Sequence, residues 1–318
     1  MASSETSIRI GYVPEHYHAP LHLALHASSS ILPFKVELVP FPSGTGHMIT
    51  SLRGEEIDIA IGLTEGWVAG LVGKDQIAKN NGAGAGGYKM IGQWVETPLR
   101  WAIVTGRDRD EIQGVEDLKG GKVGVSRLGS GSHIMSFVLA QQQNWSSAPL
   151  TTVPLGPFPA LRDGVRGSPS ADFFMWEHFT TKPSFHATES SPSPPLKKVG
   201  EIFTPWPSWH IAASTSTFPS PSTDVRLSQL FDALDTGIAS FESDPTRVIK
   251  KLGTGEMGCT YAEDDAKEWL KDVKFRRGTR GVDRKIVDGV VDVLQGAGVV
   301  GNEVGKDEVV DRVVGILR

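Results

Sequence analysis

The sequence predicts a two-lobed α/β protein, and three observations predict it. Strand and helix signals alternate through the first two thirds. Two extended, proline-marked segments, Thr97-Pro98-Leu99 and Thr204-Pro205-Trp206-Pro207, bracket the middle third. Helical stripes fill the last third. At 318 residues the chain is too long for one small core and suits two lobes of roughly 100–200 residues each.

In the first third, residues 8–13 read as a strand, and 20–28 as a helix opened by proline in its first turn. Residues 35–39 alternate apolar and polar side chains as a strand does. Gly44-Thr45-Gly46 opens a helix running through Met48, Ile49 and Leu52. Residues 58–61 form a short apolar strand, followed by a helix around 67–72. Such alternation implies a mostly parallel sheet covered on both faces. Residues 80–87 (NNGAGAGG) lack the Lys-Ser/Thr ending of a phosphate loop and read as a flexible connection.

The middle third repeats the pattern. Residues 101–105 and 122–125 are strands, 132–143 a helix, 151–155 a strand, 158–164 a helix and 171–175 a strand. A Ser/Pro-rich run over 183–195 reads as a mobile surface loop. Strands follow at 198–203 and 210–214. In the last third, Leu227, Leu230, Phe231 and Leu234 make a helical stripe within 224–241. Asp244-Pro245 caps and opens the next helix. Val287, Val290, Val291 and Leu294 repeat the stripe, and Val309, Val310, Val313 and Leu317 form a final one; all read as core faces. The two proline-marked segments have the pattern expected when one lobe is inserted into the other through two crossovers. The first lobe would then be 1–97 plus about 209–318, and the second about 98–208, a division that composition alone does not settle and that a family resemblance implies.

A hydrophobic content of 39% and a charged content of 22% suit a soluble chain. A net charge of -5 leaves no footprint for nucleic acid or an anionic membrane. No apolar stretch approaches the ~18 residues of a spanning helix. The single cysteine, Cys259, excludes an intramolecular disulfide framework and any multi-cysteine zinc or iron–sulfur site. The opening MASSETSIRIGYV has neither a basic nor an apolar leader region, so a cytoplasmic location is expected.

The sharpest chemical element is Ser126-Arg127-Leu128-Gly129-Ser130-Gly131-Ser132-His133, between a strand and a helix. Glycines admit close approach, and the first amides of a helix have no intrahelical acceptor. With the helix dipole they favour a carboxylate, sulfonate or phosphate. Ser130 and Ser132 add hydroxyls and Arg127 a charge-assisted donor. Gly44-Thr45-Gly46 is the counterpart in the first lobe. Glu15-His16-Tyr17-His18 follows the first strand, where open α/β sheets place their ligands. Two such histidines without a third ligand do not make a metal site. Thr64-Glu65 follows the third strand, and Glu65 either accepts from a ligand amine or caps the helix. Trp176-Glu177 ends a buried strand and is read as a ligand wall, with hinge packing as the alternative. Trp206, Trp209 and His210 are read as hinge packing, with ligand stacking as the alternative. No nucleophile elbow is present, and Cys259 reads as a small buried side chain.

The segments Gly11-Tyr12-Val13-Pro14, His18-Ala19-Pro20-Leu21, Gly44-Thr45-Gly46 and Asp58-Ile59-Ala60-Ile61-Gly62-Leu63-Thr64-Glu65 carry a family resemblance. So do Gly124 to Ser132, Met175-Trp176-Glu177 and Pro205-Trp206-Pro207-Ser208-Trp209. In order and spacing, over about residues 7–214, the chain resembles fungal cytosolic proteins of the type II periplasmic-binding fold. These are relatives of bacterial nitrate, sulfonate and pyrimidine-precursor binding proteins and of thiamine pyrimidine synthase. The resemblance implies a cleft between lobes that closes by hinge motion around a small molecule, with the two crossovers as hinge. The synthases use a sacrificed histidine, pyridoxal phosphate on a lysine and a cysteine-rich iron site. Here Cys259 stands alone and no first-lobe lysine matches, so no cofactor is expected. The expectation is non-catalytic binding of a small anionic or heteroaromatic metabolite. The alternatives are an enzyme of pyrimidine or thiamine-precursor metabolism and a metabolite-sensing module.

Overall fold

A computed structural model describes residues 7–28, 32–79, 86–188 and 191–318. The chain divides into two compact units. Unit 1 comprises Met1–Thr97, Trp206–Asp292 and Val300–Arg318; unit 2 comprises Pro98–Pro205 and Val293–Val299.

Unit 1 begins with β1 (Ser7–Tyr12), α1 (Ala19–Ser28), β2 (Lys35–Pro40), α2 (Thr45–Arg53), β3 (Ile59–Leu63), α3 (Thr64–Val72), α4 (Lys74–Lys79) and β4 (Tyr88–Val95). Unit 2 holds β5 (Arg100–Gly106), β6 (Lys122–Val125), α5 (Gly131–Gln142), β7 (Thr151–Pro154), α6 (Phe158–Gly164), β8 (Phe173–Glu177), α7 (His178–Thr181) and β9 (Leu196–Phe203). The chain then returns to unit 1 with β10 (Trp209–Ser214). Five helices follow: α8 (Val225–Ser243), α9 (Pro245–Thr254), α10 (Glu263–Asp272), α11 (Arg284–Gly296) and α12 (Lys306–Val313).

Each unit is built on a five-stranded sheet. The orders are β2-β1-β3-β10-β4 and β7-β6-β8-β5-β9. In unit 1, β1 pairs in parallel with β2 and β3, while β10 runs antiparallel to β3 and β4. In unit 2, β6 pairs in parallel with β7 and β8, and β5 runs antiparallel to β8 and β9. The sheets are mostly parallel, as the alternation of strand and helix implies, with one reversed strand in each. That strand is in both cases the first one formed after the chain changes unit, β5 after residue 98 and β10 after residue 206. Connections that rise over the sheet as helices keep strands parallel. A strand entered directly from the other unit has no such helix before it, and it comes in reversed.

The alternation of β1 explains its placement: Ile8, Ile10 and Tyr12 are buried. Its backbone is tied to the start of β3 by Asp58, whose carboxylate accepts from Arg9 N at 2.8 Å, Arg9 Nη2 at 2.9 Å and Thr217 Oγ1 at 3.0 Å. In unit 2 the core gathers Ala102, Val104, Leu161, Val165, Ala171, Phe174 and Leu196. The edge strand β4 is covered by the chain's later third through isolated bridges Met90 to Val314, Gly92 to Arg280 and Val95 to Phe275.

Within the Ser/Pro-rich run, residues 183 and 184 belong to a short 3₁₀ turn, and 189–190 lie outside the described residues. Of the glycine-rich stretch 80–87, residues 80–85 also lie outside them. Among the described residues no helix is long and apolar enough to cross a membrane.

Candidate functional site

The carboxyl edge of the unit 1 sheet gathers most of the chemistry. Glu15, His16, Tyr17 and His18 follow β1, Gly44, Thr45 and Gly46 open α2, and Thr64 and Glu65 open α3. The reversed β10 begins at the same edge, so Trp206, Trp209 and His210 join them. The α2 start is held in place by Thr45, whose Oγ1 accepts from Leu63 N at 2.9 Å. Gly66 makes this possible, since a Cβ there would stand 2.9 Å from Thr45 Cγ2. The amides of Thr45 and Gly46 donate to nothing among the described residues, as the start of a helix leaves them.

Behind this rim lies a buried polar cluster. Thr64 Oγ1 donates to Pro207 O at 2.5 Å and therefore accepts from His210 Nδ1 at 2.8 Å. That fixes the His210 tautomer: Nδ1 carries the proton and Nε2 is a bare acceptor. Glu65 Oε2 accepts from Trp206 Nε1 at 3.0 Å. His18 sits edge-on to Trp209, ring centroids 4.9 Å apart.

Four side chains here bury five polar atoms without a hydrogen-bond partner among the described residues. They are Glu65 Oε1, His210 Nε2, Trp209 Nε1 and both ring nitrogens of His18. Burial pushes the Glu65 carboxyl up to about 7, against the pull of its hydrogen bonds. Burial drives His18 down to about 3, with His22 adding to the effect, and drives His210 to about 3. His16 falls well below the ordinary histidine value through burial, with His18 contributing. All three imidazoles are therefore neutral at pH 7. The cluster offers donors and acceptors together and carries no positive charge of its own. Among the described residues no group of three or more His, Cys, Asp or Glu could hold a metal ion.

In unit 2 the loop after β6 folds tightly upon itself. Ser130 Oγ donates to Arg127 O at 2.7 Å and accepts from His133 N at 3.3 Å. Ser132 Oγ accepts from Ser126 N at 3.1 Å and lies 3.0 Å from Ser130 Oγ. Gly129 N donates to His133 Nδ1 at 3.0 Å. The serine hydroxyls thus shape the loop, and the groups left over are the amides of Gly131 and Ser132 at the start of α5. Arg127, exposed as a residue, makes no side-chain hydrogen bond or ion pair among the described residues. Gly44 and Gly129, at φ +76° and +75°, both take a positive φ that favours glycine in the loop before a helix.

Other residues singled out by the sequence are held by contacts within their own unit. Glu177 caps α7, its Oε2 accepting from Thr180 N at 2.6 Å. Burial pushes its carboxyl up to about 7 against those bonds and the nearby Arg100. Trp176 packs on the unit 2 core, 5.8 Å from the Phe158 ring. Tyr17 stacks near Trp209 and Trp269, and its carbonyl accepts from Trp94 Nε1. Burial lifts the Cys259 thiol to about 12, with Glu15 adding to it, which leaves no thiolate for nucleophilic work at neutral pH. Trp209 and His210, for which the sequence leaves hinge packing and ligand stacking open, carry two of the unpartnered atoms; they stand at the head of a strand following Pro-Trp-Pro.

Residues 101–202 match the model of the Ca3427-like periplasmic-binding-protein family. The structure of the Candida albicans CA3427 gene product, described as defining a new family with the generic periplasmic binding protein fold, is similar at 31% identity. The match covers 98% of this chain and 96% of that one, with a TM-score of 0.81. The alkanesulfonate-binding protein SsuA from Xanthomonas axonopodis pv. citri, solved with MOPS, aligns at 15% identity and TM-score 0.70 over 97% of this chain and 99% of that one. The Escherichia coli aliphatic sulphonate binding protein SsuA aligns at 16% and 0.63, covering 98% of each. At that identity these two speak for the fold alone. No curated protein sequence matches the chain.

Proposed function

The chain belongs to the Ca3427-like family of periplasmic-binding-protein-fold proteins, and on that premise we propose that it binds one small, anionic, heteroaromatic metabolite in a cleft between its lobes. The observation that carries this reading is the buried, unpartnered set of Glu65 Oε1, His210 Nε2, Trp209 Nε1 and His18. A buried polar atom without a partner costs about 1–3 kcal/mol. A ligand supplying several partners at once recovers that cost. A set that mixes donors and acceptors beside aromatic faces matches the edge of a nitrogen heterocycle better than it matches a simple ion. The anionic end is assigned to the free amides of Gly131 and Ser132 with Arg127. Closure then follows from a ligand that touches both lobes, since only differential contact shifts an open–closed equilibrium.

A melting screen tests this with pyrimidine and pyridine carboxylates, sulfonates and phosphates, alongside uncharged heterocycles and alkyl sulfonates. A true ligand at ~100 times its Kd stabilises the fold by about 2.7 kcal/mol. The reading expects the heteroaromatic anions to raise Tm most. Arg127→Ala should weaken the best of them by about ten- to hundredfold, the loss of one charge-assisted bond. A panel in which alkyl sulfonates outrank every heterocycle would overturn the heteroaromatic assignment.

A further inference from the structure

Unit 2 also holds a cavity of about 380 Å³ at the far end of α5 from the glycine–serine loop. Its walls include Ser136, Phe137 and Gln141 of α5, Trp145 and Leu150 from the following loop, and Val293 from the end of α11. None of its lining residues is Asp, Glu, Lys, Arg or His, although 22% of the chain is charged. The volume falls in the range of small-molecule sites, about 300–1,000 Å³. With aromatic walls and no counter-charge, a charged occupant would lose its hydration without recompense. A neutral one would bury apolar area and keep one polar end for Gln141.

We propose that this cavity is a second ligand site, for a small neutral aromatic molecule with one hydrogen-bonding end, and that its occupancy is coupled to the glycine–serine loop. The coupling runs through His133. From the cavity side, Phe137 meets the His133 ring edge-on at 4.9 Å and Ser136 Oγ donates to His133 O at 2.6 Å. On the other side, His133 Nδ1 accepts from Gly129 N, and His133 N donates to Ser130 Oγ. A molecule pressing on Phe137 and Ser136 therefore bears on the residue that holds the loop's bend. The coupling draws its importance from the ligand role proposed for that loop, but the cavity itself stands apart from it.

The test is an amide NMR titration of the full chain with 2-naphthol, with naphthalene-2-sulfonate as the charged counterpart. Neither readout depends on a ligand of the proposed cleft. The naphthol is expected to shift amides across 136–152 and 293–297 together with that of Gly129, and the sulfonate is expected to leave the cavity amides in place. Gly296→Leu fills the cavity; a Cβ at that position meets nothing within 4 Å, so the variant should fold. It should weaken naphthol binding by about tenfold or more. No shift at 136–152 up to the solubility limit, or equal affinity in Gly296→Leu, would refute the site. Cavity shifts with a motionless Gly129 amide would refute the coupling.

Discussion

Glu65 is the residue on which the binding account turns. Its carboxyl holds a proton up to about pH 7, where an unfolded chain releases it near 4.5. Between those values the folded state binds the extra proton, so this group costs stability as pH rises through the window. The loss reaches about 3 kcal/mol, at ~1.4 per pH unit. Glu65→Gln should be steadier than the parent across pH 4.5–7 by that order, read from denaturant melts of both proteins. Parallel curves for the two would mean that Glu65 ionises freely. Histidines work in the opposite sense: His18 and His210, neutral in the fold down to about 3, cost stability as pH falls below the ordinary histidine value of 6.5. Gly66 is the second sensitive position. Gly66→Ala would drive a methyl to 2.9 Å from Thr45, and overpacking of this kind costs about 1–3 kcal/mol. Thr45, Glu65 and His18 are legible in the sequence because each lies where a strand gives way to a helix. The unpartnered atoms of Trp209 and His210 are not legible there, because pairing is a property of three-dimensional neighbours such as Thr64 and Pro207.

At the scale of elements, caps were the plainest part of the sequence. Asp224 accepts from Arg226 N at 2.9 Å and Asp244 from Arg247 N at 3.0 Å, each opening the helix its position announces. Asp244→Ala should cost about 1 kcal/mol, measurable as a lower unfolding midpoint; an unchanged midpoint would show that α9 is held by packing alone. Ser130→Ala should cost a similar amount, since Ser130 caps α5 through His133 N. Among the elements the sequence pattern does not reveal, two are hidden for opposite reasons. β4 is buried on nearly every residue because later segments cover it, so it shows no alternation. α10 buries only Ala266 and Trp269, too few apolar positions to draw a stripe through EDDAKEWLKD. The reversal of β5 and β10 was equally illegible, since local side-chain pattern does not encode strand direction.

For the whole molecule, the two sheets repeat one plan. Each has two parallel pairs, one reversed strand, and a glycine-bent loop opening a helix at its carboxyl edge. The proposed function assigns unlike chemistry to the two edges: neutral, mixed donors and acceptors in unit 1, amides with a free guanidinium in unit 2. A bipartite ligand is the simplest molecule that satisfies both. The decisive measurement is calorimetric titration of the best heteroaromatic anion into the parent, Glu65→Gln, Arg127→Ala and the double variant. A single ligand held by both lobes predicts weaker binding in each single variant and a further loss in the double. Binding that drops in one variant and is untouched in the other would place the ligand on one lobe and contradict the shared grip.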